Sequence, residues 1–84
     1  MKKLVLMTTL GCHLCEVAEQ LIVSTLTDGC MVEAEDIADS DDLIALYGER
    51  IPVLRCEVSG AELGWPFDAG QLAEFVAQLP DTEE

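Results

Sequence analysis

Apolar positions fall into short blocks whose spacing alternates between the periods of strands and helices. Leu4-Val5-Leu6-Met7 is an unbroken apolar run inside residues 3–8 and predicts a central, buried strand. Residues 12–27 follow with helical spacing, Leu14, Val17, Ala18, Leu21, Ile22 and Leu26 forming one stripe and Asp28-Gly29 the stop signal. Residues 31–37 predict a second strand, whose three acids suit a solvent-facing edge. Ser40 then predicts the cap of a short helix. Asp41 and Asp42 lie in its first turn, Leu43, Ile44, Leu46 and Tyr47 face inward, and Gly48 is the terminator.

Residues 52–58 predict a third strand, Ser59-Gly60 a turn and residues 61–63 a returning strand. Asp68 predicts the cap of a last helix over 69–79, with Leu72, Phe75, Val76 and Leu79 inward and Pro80 as its stop. The order is βαβαββα. A strand–helix–strand unit implies a parallel pair, and the tight turn implies an antiparallel hairpin. The expected architecture is therefore α/β, a four-stranded mixed sheet flanked by three helices. Residues 1–80 form one domain, and residues 81–84 an acidic tail.

The chain has 84 residues, half of them hydrophobic, enough for one small core. Its net charge of −13 sets seventeen acids against four bases. Such a surface repels nucleic acid and anionic membranes and favours basic protein partners. No segment approaches the length of a membrane span. Met1-Lys2-Lys3 before an apolar stretch has the outline of a signal peptide, but cleavage before Cys12 would remove the first strand. The expected setting is a reducing cytoplasm and the expected state a monomer.

Candidate chemistry centres on Cys12-His13-Leu14-Cys15, at the junction of the first strand and first helix. Cysteines three apart place both sulfurs on one face of the first helical turn, where unpaired N–H groups and the helix dipole favour a thiolate. Cys12 is the candidate nucleophile and Cys15 the candidate resolving thiol, deeper and flanked by Leu14 and Val17. Together they divide disulfide exchange into attack and release. A protonated His13 beside Cys12 would favour its thiolate. Gly11 is expected to relieve crowding at the turn. Cys30 and Cys56 stand alone and read as small core hydrophobes.

Thr8-Thr9-Leu10-Gly11-Cys12-His13-Leu14-Cys15, Asp36-Ile37, Tyr47-Gly48-Glu49-Arg50-Ile51-Pro52-Val53-Leu54 and Trp65-Pro66-Phe67-Asp68 occur in this order over nearly the whole chain. In these elements the chain resembles the small glutaredoxin-like proteins of bacteria, in the thioredoxin superfamily. The resemblance implies a thioredoxin-like fold and a thiol–disulfide oxidoreductase acting on protein or small-molecule disulfides. It also implies a cis bond at Ile51-Pro52 beside the cysteines, with the backbone of Ile51 offered to an extended substrate. Ile51 and Pro52, together with His13 from its place between the cysteines, are the expected substrate-binding residues, beside catalytic Cys12 and Cys15.

No bound cofactor is expected. Glutathione is expected to serve poorly, because Trp65-Pro66 replaces the Gly-Gly or Gly-Cys step of typical glutaredoxins, and Thr8-Thr9 stands where a basic residue often precedes the cysteines. The rival reading is a metal-binding module, copper-carrier-like or cluster-binding, using the same cysteine pair. Copper carriers usually have a βαββαβ order, and structural zinc would need two further ligands.

Overall fold

The computed structural model describes residues 2–26 and 30–80. Its elements are β1 (Lys2–Thr8), α1 (His13–Thr25), β2 (Cys30–Asp36), α2 (Asp41–Tyr47), β3 (Val53–Cys56), β4 (Glu62–Gly64) and α3 (Ala69–Ala77), with a 3-10 turn at Ile37–Asp39 between β2 and α2. The sheet order is β2-β1-β3-β4. β1 pairs parallel with β2 and antiparallel with β3, and β4 returns antiparallel to β3. The expected βαβαββα order and mixed sheet are both present, and a βαββαβ carrier order is not. The expected Asp28-Gly29 stop and the acidic tail lie outside the described residues.

The unbroken apolar run of β1 has a direct cause. Leu4 and Leu6 enter one core cluster with Ala18 and Ile22 of α1 and Leu72 and Val76 of α3. Met7 enters a second cluster with Ile37, Tyr47 and Val53, against which Val5 and Ile51 also pack. A central strand covered on both faces needs apolar side chains at every position. β2, at the sheet edge, instead exposes Glu33 and Glu35. Ile37 leaves the expected strand because the Asp36 carboxylate accepts the Ala38 amide at 2.9 Å and starts the 3-10 turn.

Two packing expectations need correction. In α1 the inward side runs through Cys15, Ala18 and Ile22, leaving Leu14 and Val17 at 48% and 40% exposure. In α2 only Tyr47 is fully buried, Leu43 is half-buried, and Ile44 and Leu46 face solvent. Gly48 ends α2 as expected, in the right-handed region at φ −51 and ψ −37. A Cβ there would lie 2.6 Å from the Ile44 carbonyl oxygen, so close approach is what favours glycine. The caps hold as expected: Ser40 accepts from the Leu43 amide, and Asp68 forms a reciprocal capping box with Gln71.

Candidate active site

β1 ends at Thr8, and a tight turn brings the chain to the start of α1. Gly11 makes the turn at φ +82. The crowding expected there is absent, because a Cβ on Gly11 would meet nothing within 4 Å. The left-handed backbone is the reason for glycine. Cys12 follows in extended conformation as the N-cap of α1, and its Sγ accepts the Cys15 amide N–H at 3.2 Å. The sulfur stands where a serine or aspartate oxygen stands at an ordinary helix start. That position faces the positive end of the helix dipole.

Cys15 lies one turn further on, 3% exposed, whereas Cys12 is half-buried. The two are joined in a disulfide with Cα atoms 5.2 Å apart, within the ordinary range for such bridges. Cys30 and Cys56 are free, the first half-buried and the second fully buried. Burial pushes the Cys56 thiol up, but hydrogen bonds from the Ser59 hydroxyl and the Ser59 and Val58 backbone, with the charge of Arg55, bring it below the ordinary thiol value. His13 opens α1 with its side chain exposed, and it makes no side-chain hydrogen bond among the described residues.

The second wall comes from the antiparallel register. Met7 pairs with Val53, so the next positions, Thr8 and Pro52, share the sheet end from which the cysteine turn departs. Ile51-Pro52 is cis, as expected, and so is Trp65-Pro66. Pro52 is fully buried and thus shapes the wall without offering surface. Ile51 is half-buried. Its N–H is already given to the Tyr47 carbonyl at 3.1 Å, so the expected offer of backbone groups narrows to its carbonyl.

A side-chain clamp that the sequence reading missed holds this segment. Arg50, directly before Ile51, donates to Glu62 of β4 at 2.7 Å and to the Leu46 carbonyl at 3.2 Å. The buried Tyr47 donates its phenol to the other Glu62 oxygen at 2.6 Å, and the Arg50 guanidinium lies 5.2 Å from its ring centre. The Tyr47 and Arg50 hydrogen bonds hold the Glu62 carboxyl below the usual carboxylate range. The Glu62 hydrogen bond, with burial, raises the Tyr47 phenol. The three-residue spacing of Tyr47 and Arg50 was a local signal. Their meeting with Glu62 is tertiary.

The Glutaredoxin-like domain (DUF836) matches residues 3–77. The chain belongs to this family. The crystal structure of XcR50 from X. campestris is 35% identical over 92% of this chain and 99% of its own, with a TM-score of 0.81. The solution structure of XcR50 gives 34% identity, coverage of 98% and 100%, and a TM-score of 0.79. Protein Ne2328 from Nitrosomonas europaea is similar at 30% identity, 88% and 89% coverage, and a TM-score of 0.70. No curated protein matches. Family and fold together support a redox-type function.

In this glutaredoxin-like domain, the segment after β4 has few free backbone donors. The Trp65 amide is bonded to the Pro52 carbonyl at 3.1 Å, and Pro66 has no N–H to give. Trp65 and Phe67 pack edge to face, ring centres 5.1 Å apart. Asp68 spends its carboxylate on the Gln71 amide as helix cap. Among the described residues no three His, Cys, Asp or Glu side chains converge to hold a metal, and no helix is long and apolar enough to cross a membrane.

Proposed function

We propose that the protein is a thiol–disulfide oxidoreductase that reduces disulfides of proteins or small molecules through Cys12 and Cys15. The observation that carries this reading is the Cys12 sulfur at the N-cap of α1, bonded to the Cys15 amide. In the reduced protein the same N–H and the helix dipole stabilise a Cys12 thiolate. Cys12 attacks one sulfur of the substrate disulfide, forming a mixed disulfide and releasing one substrate thiolate, which takes up a proton. Cys15 loses its proton and attacks the Cys12 sulfur, breaking the mixed bond and releasing the second thiol. Two electrons and two protons pass to the substrate, and the Cys12–Cys15 disulfide remains. An external dithiol, or two monothiol molecules, returns it to the reduced state.

Burial of Cys15 suits the resolving role, since it reacts with a sulfur already attached to its neighbour. On this reading Ile51 lines the opposite wall and offers its carbonyl to an extended substrate, while Pro52 and His13 shape the approach. Glutathione is a poor substrate on this reading, no cofactor is bound, and the monomer acts in a reducing compartment. The test mixes reduced protein with a peptide disulfide in excess. The expected yield is one reduced disulfide per protein. Cys12→Ser abolishes the reaction, and Cys15→Ser stops it at a mixed disulfide on Cys12. Full reduction by Cys12→Ser would refute the assignment.

A further inference from the structure

Beside the disulfide, on the side away from Pro52, a cleft opens between α1 and the edge strand β2. It encloses about 260 Å³ and borders both Cys12 and Cys15. That is below the roughly 300–1,000 Å³ typical of small-molecule sites, and suits one long side chain better than a whole metabolite. Its floor is apolar: Leu6 and Ala34, neighbours in the β1–β2 register. At its mouth stands Leu10, 91% exposed just before the cysteine turn. A separate, smaller cavity of about 70 Å³ shares Leu6, Ala34 and Glu19 with it and is also lined by Ile22 and Val23.

Thr8 and Thr9 give the cleft a neutral polar edge, and its charged lining is wholly anionic. Glu16 and Glu19, three apart on α1, face the cleft with Asp36, which ends β2. None of the four bases lines it. Lys2 is bonded to the Val76 carbonyl, Lys3 lies beside Glu33 and Glu57, Arg50 is clamped on Glu62, and Arg55 pairs in register with Glu62. An apolar floor, a carboxylate rim and the length of one side chain match an aliphatic stem ending in a cation.

We propose that this cleft is a specificity subsite for a lysine or arginine side chain of the substrate polypeptide, seated next to the half-cystine that Cys12 attacks. The proposal rests on the disulfide-exchange reading above and adds a substrate class to it: disulfides flanked by basic residues. A seated cation also offsets the repulsion that the carboxylates exert on a Cys12 thiolate, so recognition and nucleophile activation reinforce each other.

Three peptide disulfides that differ only in a Lys, Met or Glu beside the cystine test this by stopped-flow with the reduced full chain. The expected rate order is Lys, Met, Glu, with Lys ahead of Met by roughly fivefold at low salt. The advantage disappears near 1 M salt, where the screening length is about 3 Å. In the Glu16→Gln/Glu19→Gln variant the Lys-to-Met ratio falls toward one. In Glu57→Gln/Glu74→Gln, which removes equal charge from other faces, the ratio stays. Equal rates for Lys and Met in the native chain, or equal loss of the ratio in both variants, would overturn the subsite while leaving the exchange reaction standing. Failure to reduce any of the peptides would overturn the exchange reading and the subsite with it.

Discussion

The Trp65 amide donates to the Pro52 carbonyl at 3.1 Å, tying the segment after β4 to the wall beside the cysteines. This bond uses a donor at the place where typical glutaredoxins offer backbone N–H groups to glutathione, and Pro66 supplies none. The net charge of −13 adds unfavourable encounter with an anionic thiol. Reduction of the oxidised protein by glutathione should therefore be slow and should accelerate with added salt as repulsion is screened. A stopped-flow salt series checks this, and fast, salt-independent reduction is the opposing result.

Gly11 gives a separable prediction. Its φ of +82 carries the turn, and a Cβ there has free space. Gly11→Ala should cost about 1–2 kcal/mol from backbone handedness alone, read as a lower urea midpoint at unchanged slope. Gly11→Asn should cost less, since asparagine enters the left-handed region more readily. Equal stability of Gly11→Ala and the native chain would remove the conformational reason for this glycine.

The Tyr47–Glu62 bond predicts a pH profile. The Glu62 carboxyl is depressed by the Tyr47 phenol and Arg50, so its stabilisation is full above the ordinary glutamate value of about 4.3 and is lost as pH falls through the folded-state value. The Tyr47 phenol is raised, by the Glu62 bond first and then by burial. Its share is full below about 10 and is lost as pH rises through the raised value. Glu62→Gln should lower stability near neutrality by about 1–2 kcal/mol, and the gap to the native chain should close in acid. Denaturation curves from pH 3 to 8 measure it. A gap that persists unchanged in acid would contradict the assignment.

Much of this fold was legible because local signals and burial agree. The β1 run Leu4–Met7 is apolar throughout because both sheet faces are covered, and the Ser40 and Asp68 caps act as their residue types dictate. The cysteine pair was legible for the same reason: spacing at a strand-to-helix junction is a local property. Side-chain direction on α1 was not, since Leu14 and Val17 satisfy a helical stripe as well as Cys15 does, and only packing against β1 decides the rotation. The Tyr47–Arg50–Glu62 clamp and the acidic cleft bring together residues remote in sequence, so no single segment announces either.

Timed alkylation of the fully reduced protein across a pH series, mapped by mass, shows whether Cys12 is the nucleophile. Cys12 should be modified first at neutral pH, because its sulfur faces the Cys15 amide at the start of α1, where a thiolate is favoured. Cys15 and Cys56, both buried, should follow far more slowly. Modification of Cys30 or Cys56 ahead of Cys12, or a Cys12 that reacts only at alkaline pH, would contradict that role.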